Sequence, residues 1–208
     1  MSEKSLPTSE YFTIVVYPDE MPKDTIKKLY ELGTIFVSPI HNGQKMPDVY
    51  IGEFSPTDYK PPKKHQHLLI KHSNKTTANI FIQRLCKVLN NDFTGVALHK
   101  EDALVKDAPK MIRYFYHADN PCKEHFNLEL AFEEVPLNFT TEVIKAFDTE
   151  IQMLVSSSIQ KGEIENIQQI MYYYSNSAVL TKWLYSSKNM YVVNSMFNEI
   201  RRNGKVAK

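Results

Sequence analysis

Apolar positions follow two different rhythms along the chain, and the change between them divides it. Tyr11-Phe-Thr-Ile-Val-Val-Tyr17 is dense in β-branched and aromatic residues and is stopped by Pro18, which predicts a buried strand. Ile26, Leu29 and Leu32 then recur at helical spacing from Lys23 and end at Gly33. Thr34-Ile-Phe-Val-Ser38, closed by Pro39, predicts a second strand with His41 in the loop beyond it. Asn42 to Pro62 holds Pro47, Pro56, Pro61, Pro62, Gly43 and Gly52 and little periodicity, so a long surface loop or irregular hairpin is expected.

A third strand is expected to run to about Lys71, a helix from Thr76 to Leu89, and a short strand at Gly95–His99. Asp107 and Pro109 favour a helix start, with Met111, Ile112 and Phe115 as its buried stripe. Leu128-Glu-Leu-Ala-Phe132 predicts a last strand. The order is that of an α+β domain with a largely antiparallel sheet, assigned to residues 1–135. From residue 136 to 208 only helical spacing is seen: Val143, Ile144, Phe147, Ile151, Leu154 and Val155 in one segment, Ile164 to Tyr174 in the next, then about 178–186 and 190–202. This predicts a separate helical bundle. Its aromatic surplus, including Tyr172, Tyr173, Tyr174, Trp183 and Tyr185, is expected to fill the bundle core.

Composition narrows the class. The 208 residues are 42% hydrophobic and 12% aromatic, which is globular. No stretch approaches the ~20 apolar residues of a membrane span, and the first ten residues lack a signal-peptide core, so a cytoplasmic protein is expected. Cys86 and Cys122 are too few for a disulfide framework and are expected as reduced thiols. The formal net charge of +1 says little, but its distribution says more. Lys60 to Asn91 holds no acidic residue, while Lys60, Lys63, Lys64, Lys71, Lys75, Arg84 and Lys87 supply positive charge suited to a phosphodiester backbone. The basic tail of Arg201, Arg202, Lys205 and Lys208 is either a DNA contact or a solvated end.

Inside that block, Lys63-Lys-His-Gln-His67 puts two imidazoles on one face of a strand, about 7 Å apart. A chance pair of this spacing is expected about 0.2 times in such a chain, so the motif alone does not establish a site. A third imidazole at the strand end, His41, makes a divalent metal site, and three imidazoles suit manganese better than magnesium. Tyr114 lies on the flank of the helix stripe, reachable from the sheet, and tyrosine is a competent nucleophile toward a phosphodiester. Strand nicking and joining is the chemistry that fits this set.

Taken together, Tyr11-Phe-Thr-Ile-Val-Val-Tyr-Pro18, Ser38-Pro-Ile-His41, Lys63-Lys-His-Gln-His67 and Met111-Ile-Arg-Tyr-Phe-Tyr-His117 resemble the ordered motifs of rolling-circle plasmid replication initiators of Gram-positive bacteria, within the HUH endonuclease superfamily. The resemblance implies an HUH origin-binding and nicking domain followed by a helical oligomerisation domain, and Mn2+ or Mg2+ held by His41, His65 and His67. It implies Tyr114 as nucleophile, with Tyr116 as the fallback. Cleavage would leave a 5′-phosphotyrosyl link and a 3′-hydroxyl primer for the host replication machinery, with strands rejoined at termination. It also implies a ring-like homo-oligomer, a hexamer, and contacts from Lys60, Lys63, Lys64, Lys71 and Lys75 to origin DNA. The sequence departs from the family in the ligand loop, His41-Asn-Gly-Gln44, where relatives place an acid; Gln44 or Asp48 is the fourth ligand. That departure keeps open an origin-binding regulator that does not cut. An unrelated metal-dependent phosphodiesterase is a third reading, and a relaxase or transposase of the wider superfamily suits the length less well.

Overall fold

The computed structural model describes residues 6–42, 63–98, 102–120, 123, 125–128, 132 and 135–206. The chain divides into two compact units, Met1–Phe126 and Asn127–Lys208. The first is α+β with an antiparallel sheet, as the sequence pattern predicts. Its spine is a pair of strands, β1 (Thr8–Val16) and β3 (Gln66–Thr77), joined antiparallel with Val15 opposite His67, Thr13 opposite Leu69 and Tyr11 opposite Lys71. β2 (Thr34–Val37) pairs with the other edge of β3. β4 (Val96–Ala97) and β5 (Leu104–Val105) pair with successive parts of β1.

Strand alternation gives the sheet two working faces. On one, Phe12, Ile14, Val16, Ile35, Leu68 and Ile70 are buried against α1 (Thr25–Leu29), the 3-10 turn Tyr30–Leu32 and α2 (Ala78–Val88), through Leu29, Leu32, Phe81 and Leu85. Phe12 and Phe81 stack with ring centroids 4.2 Å apart. Thr77 caps α2 by accepting a hydrogen bond from Ile80 N–H. The opposite face carries His67 and Leu69 and receives α3 (Ala108–Phe115). Asp107 caps α3 through Lys110 N–H at 3.0 Å, and Ile112 and Phe115 are fully buried beneath it. Gly33 turns the chain into β2 at φ 151°; a Cβ there would sit 2.1 Å from the Lys71 carbonyl oxygen, so only glycine fits.

Several boundaries differ from the sequence expectation. β3 continues six residues past Lys71, because Thr8 and Ser9 of β1 extend the ladder to Thr77 and Thr76. Where a strand is expected at Leu128–Phe132, the described residues Leu128 and Phe132 are helical, and the Phe132 ring packs on Phe147 at 6.1 Å. A short apolar run does not distinguish the two states until its partner is known. β5 was not expected; two residues are too few to show alternation. The long loop expected after Asn42 lies outside the described residues from position 43 to 62, as does Cys122; Cys86 is a half-buried free thiol.

The second unit is helical: a 3-10 turn at Leu137–Phe139, then α4 (Thr140–Gln160), α5 (Ile167–Tyr173), α6 (Ala178–Leu184) and α7 (Ser187–Val206). Val143, Phe147, Ile151, Val155 and Ile159 form the buried stripe of α4, which bends at Phe147. Trp183 is buried in the unit's core and donates its indole N–H to Asp148 at 2.7 Å. Of the tyrosines expected beside it, only Tyr174 is half-buried. Tyr172, Tyr173 and Tyr185 are exposed, since helical register turns them away from the stripe that carries Ile170 and Leu184. Among the described residues no helix is long and apolar enough to cross a membrane.

Phe81→Ala is expected to destabilise the first unit by about 3–5 kcal/mol, because it deletes a ring that fills the sheet–helix core. Urea denaturation of the variant and the parent checks this; a loss under 1 kcal/mol would place that ring outside the core's main contacts.

Candidate metal centre and the tyrosine beside it

The chain past β2 is tied back to β3 by its own backbone. Ser38 N–H donates to the His67 carbonyl at 2.9 Å, and His67 N–H donates to Ser38 Oγ at 2.8 Å. Gln66 donates from Nε2 to the Ser38 carbonyl at 3.0 Å. An isolated antiparallel bridge follows, with His41 and His65 exchanging both backbone hydrogen bonds at 2.8 and 3.1 Å. These contacts put His41 opposite His65 and one step from His67. One ring nitrogen from each of the three lies within 4.8 Å of the others.

Hydrogen bonds fix two of the tautomers. A carbonyl only accepts, so His41 Nε2 donates to the Phe115 carbonyl at 2.9 Å and leaves Nδ1 with its lone pair. His65 Nδ1 donates to the Lys63 carbonyl at 2.8 Å and leaves Nε2. A backbone carbonyl orienting the far nitrogen is the usual support of an imidazole ligand. With metal–nitrogen bonds of ~2.1 Å, tetrahedral or cis-octahedral donors on one ion stand ~3.0–3.4 Å apart, so the widest pair of rings needs to close by more than about an ångström. The donor set therefore fits a borderline divalent ion, with further positions left to oxygen ligands.

Burial keeps His41 and His67 neutral, the form that binds a metal. It pulls the His41 pKa from 6.5 to about 4, with His117 and His65 adding to the effect and the Phe115 carbonyl opposing it. His67 is pulled to about 3, first by burial and then by His41 and His65.

α3 places Tyr114 at this cluster. Its ring meets His67 edge-on at 5.5 Å and is 49% exposed. Tyr116, two residues on, is 6% exposed and packs between Phe36 and Phe126 at 6.4 and 6.5 Å, on the core side of the helix. Two neighbours escaped the reading of the sequence. His117 ends the α3 turn in a left-handed conformation (φ 54°), and its ring lies 4.5 Å from His41. Its spacing of three from Tyr114 on a helix was the available signal. Lys123 Nζ stands 5.4 Å from the Tyr114 ring centroid, and nothing in its own stretch of sequence announces that.

The expected lysines are dispersed. Lys63 is exposed and pairs with Glu20 at 2.5 Å, and Lys64 is exposed beside it. Lys71 Nζ lies 5.3 Å from the Tyr11 ring. Lys75 lies toward the far end of β3 from His67, within the irregular stretch of the ladder between Lys71 and Thr76. Lys60, Gln44 and Asp48 lie outside the described residues.

Comparison with known families decides the class of protein. Residues 4–139 match the family described as plasmid replication protein, origin binding domain. The chain belongs to this family. A search of curated proteins finds no match. The match covers the whole α+β unit with its histidine cluster, so this plasmid replication protein binds origin DNA through the unit that carries the candidate metal centre.

Acid should weaken this origin-binding unit. The unfolded chain takes up protons on His41 and His67 near pH 6.5, whereas the folded chain refuses them until about pH 4 and 3. The folded state therefore loses stability as pH falls below 6.5, by about 1–2 kcal/mol from each imidazole between pH 7 and 5. Thermal melts in chelator across that range check it, and a His67→Gln variant should show a shallower fall.

Proposed function

We propose that this protein initiates rolling-circle plasmid replication by nicking one strand of the origin, with Tyr114 as nucleophile and a divalent metal, Mn2+ or Mg2+, held by His41, His65 and His67. The single observation that carries the reading is the half-exposed Tyr114 ring set edge-on at 5.5 Å against His67, one of three converging imidazoles. The bound ion would supply Lewis acidity to a non-bridging oxygen of the scissile phosphate. His41 and His67, held neutral by burial, offer lone pairs rather than repelling a cation. Tyr114 Oη attacks phosphorus, its proton passing to solvent; the bond from phosphorus to the 3′ oxygen breaks, and that oxygen takes up a proton. The products are a 5′-phosphotyrosyl link and a free 3′-hydroxyl, and attack by a 3′-hydroxyl on the same link reverses the step and rejoins strands. Lys123 brings positive charge to the face of the tyrosine where the phosphate would lie. The family assignment supports the DNA partner, and the Tyr116 ring, packed inside, favours Tyr114 of the two tyrosines.

The exposed tyrosines of the helical unit suit self-association, and a homo-hexamer built through that unit belongs to the same proposal. Light scattering of the full chain tests it, a monomeric mass counting against it.

With single-stranded origin oligonucleotides and Mn2+, the wild type should form a covalent adduct that mass spectrometry maps to Tyr114. Tyr114→Phe should reduce the adduct to background and Tyr116→Phe should retain it. An adduct surviving in Tyr114→Phe sinks the assignment. Chelator should abolish nicking, Mn2+ should restore it, and His67→Ala should weaken Mn2+ binding by more than the ~10–100-fold typical of losing an outer-shell partner. A protein that binds the origin and never cuts it would be a regulator instead.

A further inference from the structure

The fold uses one side of α2. Phe81 and Leu85 are fully buried against the sheet, and Val88 packs beside them. At about 100° per residue, Asn79, Ile80, Gln83, Arg84 and Lys87 fall within an arc of about 140° on the other side. All five are exposed. Along the helix axis they cover about 12 Å, the width of a B-DNA major groove.

The chemistry of that arc is selective. It holds two carboxamides, a guanidinium, an ammonium and one apolar side chain, Ile80, that is 43% exposed, with no carboxylate among them. A helix face that is only solvated usually mixes acids with bases, whereas the whole run from Lys60 to Asn91 has no acid. Asn and Gln pair bidentately with adenine, Arg with guanine, and an apolar group meets the thymine methyl. The nearest acid beyond the helix is Asp92, whose carboxylate accepts from Thr94 N–H at 3.0 Å. At the opposite end, Ser73, Asn74 and Lys75 are exposed in the segment that leads into α2. A polyanion is therefore favoured over the N-terminal half of the helix.

One of these side chains is held in advance. Arg84 donates from its guanidinium to Nε2 of His72, a buried ring on β3. Arginine only donates, so the ring accepts at Nε2 and sends its Nδ1 proton to the Asn74 carbonyl at 3.1 Å. A guanidinium oriented in this way keeps its remaining N–H groups for a partner and loses less freedom on meeting one.

We propose that α2 is the element that reads duplex origin DNA: its outer face enters the major groove, Asn79, Gln83 and Arg84 contact base edges, and Lys75 and Lys87 lie on flanking phosphates. The family assignment supplies the partner, since residues 4–139 match an origin-binding domain. The nicking chemistry is independent of it. His67 and Tyr114 stand on the α3 side of the sheet and α2 covers the other, so the duplex is held on one side and a single strand is worked on at the other.

The test uses the full chain in chelator, so that nothing is cut, and a random duplex library recovered by filter retention and sequenced. Wild type should enrich a motif, and Asn79→Ala and Gln83→Ala should each flatten the preference at one or two base pairs by about tenfold, the other positions being kept. Arg84→Lys keeps the charge without the fork, so it should lose its own base preference and retain the salt dependence of binding. Lys75→Gln should keep the motif and lower the slope of log affinity against log salt by about 0.9. Every one of these positions is on the surface, and a melting temperature matching the parent shows each variant folded. Lys110→Ala, on α3, should keep the motif. The proposal fails if the α2 variants all keep it, if Lys110→Ala loses it, or if wild type enriches nothing. Adduct formation by wild type on single-stranded oligonucleotides in Mn2+ is read separately. A duplex motif that depends on α2 without an adduct keeps this surface and removes the nickase, and an adduct with a motif indifferent to α2 does the reverse.

Discussion

The antiparallel register of β1 on β3 is the constraint from which the rest of the origin-binding unit follows. Val15 opposite His67 sends Phe12, Ile14, Val16, Leu68 and Ile70 to the face that α2 covers, and it sends Thr13, Val15, His67 and Leu69 to the face that α3 covers. A slip of one residue would exchange these sets, burying His67 in the apolar core and exposing Leu68. The stacked rings of Phe12 and Phe81 oppose that slip on one side, and on the other Ser38 clips both the N–H and the carbonyl of His67. Core packing and site geometry are therefore one problem: the same pairing that fills the hydrophobic face delivers an imidazole to the other.

Burial and chemistry are balanced at the histidine cluster. Placing three imidazoles so near one another under a helix would be unfavourable were they charged, and desolvation removes the charge by holding His41 and His67 well below the usual range. The Phe115 carbonyl, at the C-terminal end of α3, accepts from His41 and so fixes the proton of that ring on Nε2. The helix that presents Tyr114 thereby orients a ring of the cluster, so Tyr114 and the candidate ligands are registered to each other through a backbone carbonyl.

The helical unit obeys a different economy. Its buried stripe is narrow, built from Phe147, Ile151, Val155, Ile170 and Trp183, and it leaves Tyr172, Tyr173, Tyr185 and Tyr191 outside. Large exposed aromatics on a small bundle are the kind of surface that partners cover.

The sequence by itself determined the α+β order, the strand that carries His67 with His65 just before it, and the cap of α3 at Asp107, because these depend on local spacing, turn residues and a side chain three positions from an N–H. It also pointed to a plasmid replication initiator, which the family match supports. It misplaced Leu128–Phe132 and the tyrosines of the second unit, since an apolar residue's partner is not written beside it. The motif resemblance ranked Tyr114 before Tyr116, and tertiary structure gave them different surroundings by packing Tyr116 against Phe36 and Phe126 and leaving Tyr114 at His67. Only tertiary structure brought His117 and Lys123 to the cluster, because those juxtapositions come from the helix crossing the sheet, a relation among segments far apart in the chain.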